Sequence, residues 1–133
     1  MVAFHVKRES DFGPVTVNTV IPYTLVVLNI GDVYDTDTDA FTAPANGIYY
    51  FYFVHYHKPG FTVLYLRIND ANYQEIASDD QMYLSTGTCS AAVQLQQGDT
   101  VSTHLYGNDE GNIHCQAGGG ECQFGGFLVY EII

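Results

Sequence analysis

Residues Gly47–His57 read Gly-Ile-Tyr-Tyr-Phe-Tyr-Phe-Val-His-Tyr-His. Aromatic and β-branched side chains this dense favour a strand. Side chains on a strand alternate between faces, so Tyr49, Phe51 and Phe53 share one face and Ile48, Tyr50, Tyr52 and Val54 the other. Both faces are therefore apolar or aromatic, whereas an antiparallel sheet with one wet face should alternate cleanly. The segment Phe124–Ile132 behaves alike, with Phe124, Leu128, Tyr130 and Ile132 at one parity and Phe127 and Val129 at the other. One face of each strand can pack into a core. In a two-sheet sandwich the second must be covered from outside, by another copy of the chain or by a loop folded over it; a homo-oligomer is the simpler source.

The rest of the chain contains short apolar or alternating runs and almost no helical period. Strands are expected at Val2–Arg8, Val15–Ile21, Tyr23–Ile30, Phe61–Asn69, Thr88–Gln96 and Thr100–Tyr106, with a weaker one at Tyr73–Ala77. Leu64, Leu66 and Ile68 share a face, as do Cys89, Ala91, Val93 and Leu95. With 133 residues there is room for one domain, 1–133, and one core. The class is all-β, a sandwich or jelly roll.

Fifteen acids against four bases give a net charge of −11. Such a surface repels phosphate, so nucleic acid and anionic membrane are poor partners, while cations and basic proteins are better ones. No apolar run is long enough for membrane insertion, and no signal-peptide pattern opens the chain. The expected start is a mature-domain boundary.

The spacing in the central third is specific. Tyr23, Asn29, Tyr34 and Phe41 precede Gly47-Ile-Tyr49-Tyr-Phe51-Tyr-Phe53. This resembles the C1q-domain signature position by position, with Tyr23 where the family usually has Phe. Phe41-Thr-Ala-Pro44, Val2-Ala-Phe4 and Phe124-Gly-Gly126-Phe127-Leu-Val-Tyr130 extend the resemblance over nearly the whole chain. It implies a ten-stranded antiparallel jelly roll of the C1q and tumour-necrosis-factor type, in a compact homotrimer. Tyr49, Tyr50, Phe51, Tyr52, Phe53, Phe124 and Phe127 would then form core and trimer interface. The family is secreted and often carries a collagen-like stalk; no Gly-x-y repeat occurs here. A short chain without a stalk resembles the invertebrate members. The motif residues themselves suit structure: Gly47 a bend, Asn29 and Asp32 turn hydrogen bonds.

Asp32, Asp35, Asp37 and Asp39 alternate in a way that can gather Ca²⁺. Counted from Asp35, Ala40 and Asn46 stand where an EF-hand needs Gly and Glu, so a solvated turn is expected. Some C1q-type trimers bind Ca²⁺ through acidic and amide side chains near the apex. The resemblance thus makes Asp79, Asp80 and Gln81, in three copies, candidate Ca²⁺ ligands. His55 and His57 share a face as paired metal ligands can, but a surface-exposed strand end is expected. Cys115 and Cys122 bracket a glycine-rich tip and fit a disulfide, consistent with an oxidising, extracellular location. Cys89 falls on the core parity as a free thiol, although pairings through Cys89 stay open. No nucleophile elbow, phosphate loop or zincin motif is present, so no catalytic residue is expected.

The sequence reading is a non-enzymatic, secreted, lectin-like recognition module of innate immunity, binding microbial or cell-surface glycans or proteins through a trimer. Asn108, Asp109, Glu110 and His114, in the segment Gly107–Glu121, are the expected ligand contacts. A cytokine- or adipokine-like receptor ligand and an acidic Ca²⁺-binding matrix protein are the alternatives.

Overall fold

The computed structural model describes residues 1–80, 82, 85–116 and 122–133, the side chains of Asp80 and Ser85 excepted. Strands β1 (Ala3–Lys7), β3 (Leu25–Ile30), β6 (Gly47–His57), β9 (Ser85–Leu95) and β11 (Gln123–Glu131) form one sheet in the order β3-β1-β11-β6-β9. The second sheet runs β4-β5-β10-β7-β8, from β4 (Tyr34–Asp35), β5 (Ala40–Thr42), β10 (Thr100–Leu105), β7 (Gly60–Ile68) and β8 (Ala71–Asp80). The two-residue β2 (Thr19–Val20) adds to β10. All pairings between strands are antiparallel. This is the jelly roll expected from the sequence. Among the described residues no helix is long and apolar enough to cross a membrane.

The sheets meet on their aromatic rows. Tyr49, Phe51 and Phe53 are fully buried, as the period-two reading of β6 requires. Phe4 from β1 stacks on Phe41 at 5.3 Å and meets the edge of Phe124 at 5.0 Å. Phe41 touches Phe51 edge-on at 5.1 Å. These offset and perpendicular contacts are the favoured geometries of aromatic pairs, each contributing about 0.5–1.5 kcal/mol beyond area burial. Cys89, Val93 and Leu95 complete the row on β9, and Cys89 is the buried free thiol expected.

Three expectations are corrected in detail. The segment expected as Val15–Ile21 pairs only at β2. Its earlier residues serve the neighbouring loop instead, with Asp109 N–H donating to Val15 O (3.0 Å) and Gly107 N–H to Asn18 Oδ1 (2.9 Å). The weak strand Tyr73–Ala77 grows to β8 because β7 templates it along nine register positions. Gly47 is needed for close packing, not for a bend: a Cβ there would stand 2.7 Å from Tyr130 O and 2.8 Å from a Leu128 methyl.

Asn29 performs the turn role expected of it. Its Oδ1 accepts from Val33 N–H (2.9 Å) and Tyr34 N–H (3.1 Å), and its Nδ2 donates to Tyr34 O (3.0 Å). The turn thereby returns the chain from the first sheet to the second.

A Cβ on Gly126 would lie 2.8 Å from Tyr50 O and 2.5 Å from a Phe51 ring carbon. Gly126→Ala is expected to cost about 1–3 kcal/mol by overpacking. Urea denaturation measures this, and an unchanged midpoint would refute it.

Candidate interaction surfaces

The outward face of the β3-β1-β11-β6-β9 sheet follows from the registers, since directly paired residues share a face. β3 contributes Leu25, Leu28 and Ile30, and β1 contributes Ala3, His5 and Lys7. Gln123, Gly125, Phe127 and Tyr130 come from β11, opposite Val54, Tyr52, Tyr50 and Ile48 of β6. Thr88, Ser90, Ala92 and Gln94 come from β9. None of these residues is an Asp or Glu, in a chain with 15 of them. Phe127 is 43% exposed and Tyr130 60% exposed. Tyr50 and Phe127 pack with centroids 5.6 Å apart. The Tyr52 ring lies across Gly125, where a Cβ would collide with the phenol, and its hydroxyl meets His5 Nδ1 at 2.5 Å. Burial, and then the charge of Lys7, hold the His5 imidazole below its ordinary value.

The outward face of the other sheet has the opposite chemistry. Asp35, Thr42, Thr100, Ser102, Arg67, Tyr65 and Glu75 stand on it. A groove of about 440 Å³ is lined by Thr42, Thr100, Ser102 and His104 together with Asp35 and Asp70. His104 Nε2 is 3.0 Å from Ser102 Oγ. Burial, with Arg67 nearby, brings the His104 imidazole down to about 4.

The expected contact residues cluster at one end of the sandwich, where most of them build the loop itself. Asn108 Oδ1 accepts from Glu110 N–H (3.0 Å) and Gly111 N–H (2.8 Å), while its Nδ2 donates to Phe61 O (2.9 Å). Glu110 Oε1 accepts from Phe61 N–H at 2.8 Å. His114 Nδ1 faces Asp11 Oδ1 at 3.0 Å. Asp109 is exposed, with φ +61°. Asp11 also takes Lys58 Nζ at 2.5 Å and Cys115 N–H at 3.0 Å. The hydrogen bond from Lys58 is the main reason its carboxyl is held below the usual range. The Cys115–Cys122 disulfide is present, with Cα atoms 5.8 Å apart, and closes the loop beside Asp11.

His55 and His57 are not a surface-exposed strand end: they are 0% and 2% exposed. They continue the inward parity of Tyr49, Phe51 and Phe53. Extending that parity by four residues would have found them; the Lys58-Pro59-Gly60 turn after them suggested a wet end instead. His55 Nε2 meets Tyr23 Oη at 2.9 Å, and Tyr23 Oη meets Thr103 Oγ1 at 2.8 Å, joining the two sheets. His55 Nδ1 and both His57 ring nitrogens have no hydrogen-bond partner among the described residues. Burial first, then His57 and Arg8, bring the His55 imidazole down to about 3; burial lowers His57 as well.

Of the expected Ca²⁺ ligands, Asp79 is exposed near the end of β8. Gln81 and the Asp80 side chain lie outside the described residues. Asp35 and Asp37 form a local turn, with Asp37 N–H donating to Asp35 Oδ1 at 2.8 Å. Among the described residues no group of three or more His, Cys, Asp or Glu is placed to hold a metal ion.

Residues 3–129 match a family model described as C1q domain. Caprin-2 of Danio rerio is 34% identical over 134 residues, covering 98% of this chain but 14% of that protein. Heavy metal-binding protein HIP of Mytilus edulis is 28% identical over 110 residues, covering 81% of this chain and 52% of that protein. The chain thus spans only part of either relative. Among solved structures, the globular domain of zebrafish complement 1qA protein matches with a TM-score of 0.81 and 18% identity, over 99% of this chain and 100% of that one. At that identity the likeness is one of fold.

The buried imidazoles dictate a pH dependence. A histidine lowered in the folded chain binds fewer protons there than in the unfolded chain. Its contribution is intact above the unfolded value of 6.5 and is lost as pH falls toward the folded one. Between pH 6.5 and 4, His55 and His104 are each expected to weaken the folding equilibrium by up to about tenfold per pH unit. Urea titrations at several pH values measure the slope. His55→Gln should flatten it by one proton; a parallel acid limb in the variant would refute the assignment.

Proposed function

The chain belongs to the C1q-domain family, and on that premise we propose that it is a secreted, non-enzymatic recognition module that assembles as a homotrimer and binds microbial or cell-surface ligands. The observation that carries this reading is the aromatic face without carboxylates on the β3-β1-β11-β6-β9 sheet. A chain of net charge −11 keeps solvated surfaces wet with acids. A sheet face bearing Tyr50, Phe127 and Tyr130 and no acid suits permanent cover.

Trimerisation would leave the polar sheet and the loop ends outward, three copies to an assembly. Weak sites repeated three times gain avidity without new contacts. The groove beside His104, rich in hydroxyl groups, and the exposed Asp109 are the surfaces this reading presents to a glycan or protein ligand. Ca²⁺ held by Asp79, Asp80 and Gln81 in triplicate belongs to the same proposal. A second reading, binding of cations as the main role, draws on the net charge and on the Mytilus edulis relative, a heavy metal-binding protein.

Sedimentation equilibrium at micromolar concentration and pH 7.5 is expected to give the mass of three chains. Phe127→Glu should give a folded monomer with an unchanged far-ultraviolet spectrum. A wild-type monomer would sink the trimer reading. Capture on immobilised bacterial glycans, with and without CaCl₂, separates the two roles. Saturable Ca²⁺ binding with no glycan or cell-surface retention would favour cation binding.

A further inference from the structure

His5 lies at the midpoint of β1, one strand in from the β3 edge of the face without carboxylates. β1 lies between β3 and β11, so His5 is flanked by Leu28 on one side and Gly125 on the other. The missing side chain at Gly125 lets the Tyr52 ring cross β11 and reach it. Imidazole and phenol centroids are 5.7 Å apart, tilted by 31°, with Nδ1 and hydroxyl at 2.5 Å. The Gln123 side chain is a further hydrogen-bond partner of His5. The charged and titratable groups on this face are Lys7 on β1, Tyr50, Tyr52 and Tyr56 on β6, and Tyr130 on β11; β3 and β9 place none there. A proton added to His5 therefore meets a lysine and neutral phenols, with no carboxylate of its own face to balance it.

We propose that His5 makes self-association of this chain acid-labile: covering the face holds three imidazoles neutral, and their protonation at mildly acidic pH releases folded protomers. This rests on the trimer reading above. In the single chain, burial and Lys7 together outweigh the Gln123 hydrogen bond and already disfavour the imidazolium. Cover by a partner removes more water from it and acts in the same direction. The assembled state then binds fewer protons than the separated protomers, so dissociation takes up protons and acid drives it. With one proton per protomer, the dissociation constant of a trimer rises by up to about a thousandfold per pH unit, in the window that opens below the separated protomer's own value, itself under 6.5.

The test is sedimentation equilibrium of the chain, His5→Gln and His5→Asn between pH 7.5 and 5.0, with near-ultraviolet circular dichroism at each pH. The expected result is a wild-type trimer at pH 7.5 that falls to folded monomers toward pH 5.0, while both variants stay trimeric. A wild-type trimer that acid leaves unchanged or tightens overturns the proposal, as does equal dissociation in the variants. Loss of the near-ultraviolet signal with dissociation assigns the effect to the core histidines and overturns it too. Variants that fail to assemble at pH 7.5 give His5 a packing role only and overturn the switch. A monomer at pH 7.5 in wild type and variants alike overturns the trimer reading and takes this proposal with it; a trimer insensitive to pH overturns this proposal alone.

Discussion

The fold depends on β6 being apolar or aromatic on both faces. Its inward row, from Tyr49 to His57, is buried and sets the depth of the core. Its outward row, Ile48 to Val54, lies between β11 and the edge strand β9 on a sheet face bearing no acid. One strand cannot relocate either row, because a slip of one residue exchanges them. The register against β11 and β9 is therefore fixed from both sides at once. Gly125 and Gly126 are the matching concession on β11, where any side chain would strike Tyr52 or Phe51.

Charge is distributed to suit this arrangement. Three copies would carry −33, three times the −11 of one chain. That repulsion opposes assembly only where the charges approach one another. Interactions between exposed charges fall off over about 8 Å at physiological salt, and a two-sheet sandwich places its outer faces more than about 10 Å apart. Acids such as Asp35 and Glu75 on the far sheet are thus largely screened from a contact made on the near one. The chain can be acidic enough to stay soluble and still pack one face against itself.

Much of this was legible in the sequence because it follows from period-two alternation and from short-range spacing. The core row of β6, the double-faced character of β6 and β11, the role of Asn29 and the link between Cys115 and Cys122 all depend on residues close in the chain. What was not legible depends on residues far apart. Asn108 and Glu110 read as solvent-facing contacts, but each is tied to the backbone of Phe61, 47 and 49 residues away. The outward residues of β1 and β3 are not evident from the sequence because their membership of the face without acids appears only when the strand order is known. Leu25–Ile30 was apolar at both parities, which was a signal of the same kind as that in β6.

The fate of the expected contact residues bears on where recognition can reside. A side chain that accepts two backbone N–H groups, as Asn108 does, cannot turn to a ligand without unmaking its loop. An unmade bond to a buried donor costs on the order of 1–3 kcal/mol, as much as a new contact would supply. Asn108 is therefore scaffold, and what it presents is the adjacent Asp109, held outward at positive φ. On the polar sheet the roles are less exclusive. Thr42, Thr100 and Ser102 project from strands whose backbone pairing already satisfies the ladder, so a ligand there competes only for side-chain hydrogen bonds, those of Thr100 Oγ1 with Asn69 Oδ1 and of Ser102 Oγ with His104 Nε2. A ligand, on the proposed reading, would be met at less cost by the polar sheet than by the Asn108 loop, whose side chains hold the backbone of Phe61.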